Sequence, residues 1–260
     1  MPVVESYRAG TPCWVDLAST NAESAKEFYG ALFGWNFSGN PIDPDGVYYM
    51  ATINGKNVAG LVQQPEEAGA QSEWTTYLAV DDVDAAAEKA VAAGGTQLCP
   101  VGTVLETAGR MTMVRDPGGA QLGLWQAQAH IGASLVNEPG TVIWNELQVQ
   151  DVDAVLPFYQ ATVGITGEKA SVGGLDDYTE LRVGDVTVGG AFPKPQPELP
   201  ARWVVYFMVT DVDEALVRAQ NLGATILAPA FDAPGVGRMT LISDPEGAPF
   251  YLLEPRMVLP

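Results

Sequence analysis

Apolar and polar positions alternate from Thr11 to Ala18, which puts Val15 and Leu17 on one face of an extended segment and Trp14 and Asp16 on the other. The period then becomes helical. Ala25, Phe28, Tyr29, Leu32 and Phe33 share one side, Thr20 with Glu23 forms a capping box, and Gly34 supplies the stop. Val47 to Ile53 and Asn57 to Val62 read as strands joined by an Asn54-Gly55 turn. A polar loop, Gln64 to Ser72, leads to a strand from Trp74 to Val80. A helix from Val83 to Ala93 follows, capped by Asp82 and ended by Gly94-Gly95. Last come two or three strands, Thr96 to Pro100, Arg110 to Val114 and Ala120 to Gln126, the final pair turning at Asp116-Pro117-Gly118-Gly119.

The whole pattern is then written again. Gly10-Thr11-Pro12-Cys13-Trp14 returns as Gly140-Thr141-Val142-Ile143-Trp144, Phe28-Tyr29 as Phe158-Tyr159, and Gly109-Arg110-Met111-Thr112 as Gly237-Arg238-Met239-Thr240. The offset drifts only from 130 to 128 residues, so a whole fold unit is duplicated. The second helix carries Val155, Phe158, Tyr159, Thr162 and Val163 before Gly164, and its Pro157 is expected near the first turn, where proline is tolerated. Strands are expected at Tyr178 to Val183 and Val186 to Phe192. Each module reads β-α-β-β twice, itself an approximate duplication of a βαβββ unit. The division is 1–127, a linker 128–139 carrying His130, and 140–260.

Composition narrows the function. The chain has 260 residues, a net charge of −19 and a pI near 4.1, which argues against nucleic-acid and membrane partners. No stretch approaches the ~20 apolar residues of a membrane span. Met1 to Gly10 lacks a basic region followed by an apolar run, so a cytoplasmic location is the expectation. Cys13 and Cys99 form no paired metal spacing. The single histidine, His130, makes a site with two or three histidines impossible within one chain.

With the elements in this order, the chain resembles the vicinal oxygen chelate superfamily of glyoxalase, bleomycin-resistance and extradiol-dioxygenase folds. The strings that carry the resemblance are Trp14 to Phe33, Val80-Asp81-Asp82-Val83-Asp84, and the hairpins Asp116-Pro117-Gly118-Gly119 and Asp244-Pro245-Glu246-Gly247. The linker His130-Ile131-Gly132-Ala133-Ser134-Leu135-Val136-Asn137-Glu138 is similar to that of a two-module group labelled hydroxylase or glyoxalase-like. The resemblance implies an α+β fold: two glyoxalase-like modules built from tandem βαβββ units, with curved, antiparallel-rich mixed sheets that enclose cavities. It also implies a metal held by His, Gln or Glu on three strands. Counting from the motifs puts those positions at Trp14, Thr75 and Gly123, and at Trp144, Val204 and Tyr251. None has the required side chain, so neither metal nor cofactor is expected.

Strand parity turns Trp14, Asp16, Thr75, Tyr77, Gln121 and Trp125 into the first cavity, and Trp144, Glu146, Val204, Tyr206, Tyr251 and Leu253 into the second. Gly123 is expected to open space that Tyr251 fills, making the first cavity the roomier ligand site. The tryptophans are either ligand walls or plain core. Asp16 and Glu146 are candidate general bases, or structural acids paired with Arg110 and Arg238; pairing is the favoured reading, because buried acids are usually paired. Asp82, Asp84, Asp211 and Asp213 read as helix-start residues, and His130 as a surface or interface contact. Tyr48, Tyr49 and Met50 either border the pocket or are strand packing. The modules are expected to mimic a dimer within a monomer, or to form a homodimer. The leading expectation is metal-independent binding of a small hydrophobic or aromatic molecule, in secondary metabolism or in drug resistance by sequestration. The alternative is a metal-free isomerase, cyclase or oxygenation-assisting enzyme on an aromatic or polyketide-like substrate. A metal-dependent glyoxalase or dioxygenase ranks last.

Overall fold

The computed structural model describes residues 4–42, 46–65 and 71–256; the centre of the Gln64 to Ser72 loop, 66–70, lies outside them. The first module runs β1 (Pro12–Ser19), α1 (Ala22–Phe33), β2 (Asn36–Ile42), β3 (Gly46–Ile53), β4 (Lys56–Gln63), β5 (Glu73–Ala79), α2 (Val83–Ala92), β6 (Thr96–Gln97), β7 (Gly102–Val104), β8 (Gly109–Arg115) and β9 (Gln121–Ala127). The second runs β10 (Val142–Val149), α3 (Val152–Val163), β11 (Thr166–Val172), β12 (Leu175–Val183), β13 (Val186–Pro193), β14 (Arg202–Met208), α4 (Val212–Asn221), β15 (Thr225–Ala233), β16 (Gly237–Ser243) and β17 (Pro249–Pro255).

Both sheets curl into half-barrels with the same strand order, β2-β3-β4-β1-β5-β9-β8-β6 and β11-β12-β13-β10-β14-β17-β16-β15. The two βαβββ units of a module meet at its antiparallel centre, β1 with β5 and β10 with β14. Parallel pairs β1/β4 and β5/β9 flank the first centre, and β10/β13 and β14/β17 flank the second. No helix among the described residues is long and apolar enough to cross a membrane.

Three local expectations change. The cap of α1 is Asn21, whose side chain accepts from the Ser24 amide, while the Thr20 hydroxyl is taken by Ser72 and Glu246. Pro157 lies well inside α3, beyond the first turn, so that helix continues past a residue with no N–H to give the ladder. Strands β2 and β11 were not foreseen, because their mostly exposed, polar positions show no apolar alternation.

The helices cover the convex faces, and there the modules share their cores. Val15, Leu17, Phe28 and Tyr29 pack with Phe207, Ala215, Phe250 and Leu252 of the second module. Leu78, Ala86 and Leu122 pack with Leu147, Phe158, Tyr159 and Trp203. Two buried hydrogen bonds cross between modules at repeat-related places. The Tyr29 hydroxyl donates to Asp244 Oδ2 at 3.0 Å, and the Tyr159 hydroxyl to Asp116 Oδ2 at 2.7 Å. The indole N–H groups of Trp74 and Trp203 donate to those same phenols. The other oxygen of each aspartate closes its own turn, accepting from Ala120 and Ala248 amides.

Losing one such phenol strands an indole donor and a carboxylate. Tyr159→Phe is expected to lower urea-unfolding stability by about 1–3 kcal/mol. Lys169→Ala, which breaks an exposed pair with Asp153, should leave the midpoint unchanged. An unchanged midpoint for Tyr159→Phe would contradict the role assigned to the crossing bond.

Candidate functional site

The concave face of the first module holds an open-mouthed cavity of about 440 Å³, within the ~300–1,000 Å³ usual for small-molecule sites. Trp14 and Asp16 reach it from β1, Tyr48 and Met50 from β3, Tyr77 from β5, Met111 from β8 and Trp125 from β9. Period-two alternation selects them: Tyr49, between Tyr48 and Met50, faces the other way and carries Lys26 over its ring at 4.2 Å.

Asp16 is buried and held by phenols. The Tyr77 hydroxyl donates to its Oδ2 at 2.9 Å, and Trp14 Nε1 donates to the Tyr48 hydroxyl at 2.8 Å. Burial pushes the Asp16 carboxyl from 3.8 up to about 7, although hydrogen bonds from Tyr77 and Tyr48 pull the other way. Gly60, paired with Asp16 across β1/β4, makes this arrangement possible. A Cβ at Gly60 would fall 1.8 Å from the Tyr48 hydroxyl and 2.9 Å from Asp16 Cβ.

The second module repeats the network. Tyr178 donates to Glu146 Oε1 at 2.8 Å, Tyr206 donates to Oε2, and Trp144 Nε1 donates to Tyr178 at 3.0 Å. Burial raises Glu146 from 4.5 to about 7. Gly190 seats Tyr178 as Gly60 seats Tyr48. Sequence reasoning did not single out Tyr178 and left Tyr48 undecided; their spacing of one repeat was the available signal.

Gly123 does not open space. Its bare backbone lies under the Tyr77 ring, which a Cβ would meet at 2.0 Å, and the ring itself takes up the volume. At the equivalent pair, Tyr206 stacks on Tyr251 with ring centres 4.3 Å apart and planes 4° from parallel. Thr75 and Gln121 are not among the cavity's lining residues; Thr75 is half-buried and Gln121 exposed.

The expected ion pairs are also overturned. Arg110 binds Asp84, and Arg238 binds Asp213 and Asp232. Alternation is the reason: Met111 turns into the cavity, so Arg110 points to the opposite face, where α2 begins. Asp82 and Asp211 cap their helices, and Asp84 and Asp213 lie in the first turns as expected while also holding these surface pairs. Among the described residues no lysine or arginine lines the first cavity.

His130 corrects the reading of the linker as well. Gly132, at φ 108°, lets the linker lie so close to β1 that a Cβ would sit 2.2 Å from the Cys13 carbonyl oxygen. The Ala133 and Ser134 amides then bond to Cys13 and Asn57. His130 is carried to the cavity rim, its ring edge-on to Trp14 at 4.6 Å and to Trp125 at 5.6 Å. Burial lowers its pKa from 6.5 to about 4, so the ring is neutral at pH 7. Its Nε2 has no hydrogen-bond partner among the described residues.

The positions that the resemblance assigns to a metal hold, in the first module, an indole, a half-buried hydroxyl and a bare glycine. Among the described residues no three His, Cys, Asp or Glu side chains converge. The donor set does not fit a three-ligand metal centre. It offers instead one acid titrating near neutrality beside two phenols, inside aromatic walls.

A family model described as Glyoxalase/Bleomycin resistance protein/Dioxygenase superfamily matches residues 13–124, and one described as Glyoxalase-like domain matches residues 144–253. The chain is 46% identical over 258 residues to "Putative glyoxylase CFP32" of Mycobacterium tuberculosis (strain CDC 1551 / Oshkosh), covering 98% of each chain. It is 31% identical over 264 residues to "Anthracycline biosynthesis protein DnrV" of Streptomyces peucetius, covering 96% of this chain and 95% of that one. In fold it is similar to the Mn(II)-bound glyoxalase from Novosphingobium aromaticivorans, with a TM-score of 0.65 and 16% identity, covering 96% of this chain and 84% of that one. It is likewise similar to the 2,3-dioxygenase LapB from Pseudomonas sp. KL28, with a TM-score of 0.63 and 16% identity over 95% and 92% of the two chains.

Two outcomes follow from the geometry. Gly60→Ala should destabilise the fold by about 1–3 kcal/mol through overpacking. Most of that cost should vanish in a Tyr48→Ala background, which a denaturant double-mutant cycle measures; strict additivity would refute the seating. The second outcome concerns pH. The folded form keeps protons on Asp16 and Glu146 up to about pH 7, whereas the unfolded carboxyls release them near 3.8 and 4.5. The stability they lend is complete below those lower values and is lost as pH rises toward 7. Between pH 5 and 8 the wild-type urea midpoint should therefore fall further than that of an Asp16→Asn/Glu146→Gln variant.

Proposed function

Because this chain belongs to the glyoxalase/bleomycin resistance protein/dioxygenase superfamily, we propose that it uses the family's half-barrel without a metal to hold one small aromatic or hydrophobic molecule in the first-module cavity. The observation that carries this reading is a cavity walled by Trp14, Trp125, Met50 and Met111 where the inferred metal donors are missing. Broad apolar walls with a few converging polar groups are the usual make-up of a small-molecule site. The relative DnrV is named for anthracycline biosynthesis. That name supports an aromatic polyketide-like ligand and a role in secondary metabolism.

Asp16 favours one further reading. A carboxyl that titrates near 7 inside a cavity is suited to proton transfer, so the same site supports metal-free isomerisation or cyclisation with Asp16 as general base. The carboxylate form is then the active one, and turnover would rise as pH passes through about 7.

The binding reading is tested with protein stripped by EDTA and titrated with 9,10-anthraquinone while tryptophan emission is followed. Saturable quenching, equal before and after EDTA, is expected. Ala108→Trp, which fills the cavity, should weaken binding at least about tenfold. Binding that appears only when a divalent metal is restored, or no binding at all, would refute it.

A further inference from the structure

Asp16 is a buried acid without a cation. Buried carboxylates are ordinarily paired with a positive charge or held by a set of N–H donors. Here Arg110, at the start of β8, is committed to Asp84 on the other face of the sheet. The lining residues include no lysine or arginine, and the rim histidine is neutral. Among the described residues the side chains that hydrogen-bond the carboxyl are the phenols of Tyr77 and Tyr48, and a phenol supplies a hydrogen bond but no charge.

Around this acid stand four aromatic side chains that line the same cavity, Trp14, Tyr48, Tyr77 and Trp125. Ring faces carry negative charge density and attract cations, most strongly where water is excluded. The rest of the molecule points the same way. With a net charge of −19, the chain repels anions and raises the local concentration of small cations. A ligand carboxylate or phosphate would meet an acid, two phenol oxygens and no compensating charge.

We propose that the ligand of the first-module cavity carries a protonated amine, which pairs with the Asp16 carboxylate inside the box formed by Trp14, Tyr48, Tyr77 and Trp125. The inference rests on the cavity being a ligand site and adds the ligand's class: an aromatic or alicyclic amine. The missing counter-charge of the fold is supplied by the ligand, and binding ionises Asp16. The second module shares the two phenols, Tyr178 and Tyr206 on Glu146, and differs in that Tyr251 stacks over Tyr206 where the first module has Gly123 beside Tyr77.

Three probes of matched shape test the class by ligand-observed NMR titration: 1-naphthylmethylamine, 1-naphthylmethanol and 1-naphthoic acid. The native protein should bind the amine at least about tenfold more tightly than the alcohol, and should not bind the acid. Asp16→Asn should bring amine and alcohol to equal affinity while keeping alcohol binding. Equal affinity for amine and alcohol in the native protein overturns the amine proposal and leaves the cavity reading intact. Failure of all three probes overturns both. An amine preference that survives Asp16→Asn places the cation elsewhere and also overturns the proposal. Should Asp16→Asn not fold, the ranking on the native protein decides the matter, since acid bound as well as amine contradicts the proposal without any variant.

Discussion

The exchange of tyrosine for aspartate between modules fixes the rest of the architecture. Tyr29 and Tyr159 are buried on the helices, and each finds its acceptor on the turn aspartate of the other module. A phenol in such a place must be satisfied, since an unpaired buried polar group costs more than its bond contributes. Once these bonds form, the convex faces and their helices are consumed in two shared cores. What remains is the pair of concave faces, each with its own small cluster of apolar residues. The cavity is a consequence of where the modules join as much as of how each sheet curls.

Within the concave faces, one motif is conserved between the copies and one is varied. Each keeps a tryptophan, a tyrosine seated on a glycine, a buried acid and a second tyrosine from the neighbouring strand. The variation falls at Gly123 and Tyr251. A glycine lets the Tyr77 ring lie flat over the strand, whereas a tyrosine stacks on Tyr206. The linker adds what neither copy contains, bringing His130 over the first cavity and edge-on to two tryptophans. The site is thus assembled from β1, β3, β5, β8 and β9 together with a segment outside the repeat.

Much of this is legible in the sequence. The strand-to-helix transitions, the caps at Asp82 and Asp211 and the duplication follow from short-range rules. Alternation turned Trp14, Asp16, Tyr77 and Trp125 to one side correctly, because a strand offers only two faces. The pairing of Asp16 with Arg110 failed on the same rule: Met111 faces the cavity, so Arg110 cannot. The misreading of Gly123 had another cause. An absent side chain tells that room exists and not which neighbour takes it, and that neighbour lies on a different strand.

By itself the sequence determined two α+β modules, the period of their strands and helices, and the lack of a histidine-based metal set, since these depend on residue type and near-neighbour spacing. Only the tertiary structure decided that Arg110 is spent on Asp84, that Tyr48 reaches into the cavity of Asp16, and that a linker histidine becomes part of its rim. Those outcomes depend on which strands lie side by side and how closely two backbones approach. Such distances are set by the packing of residues far apart in the chain, and no local pattern encodes them.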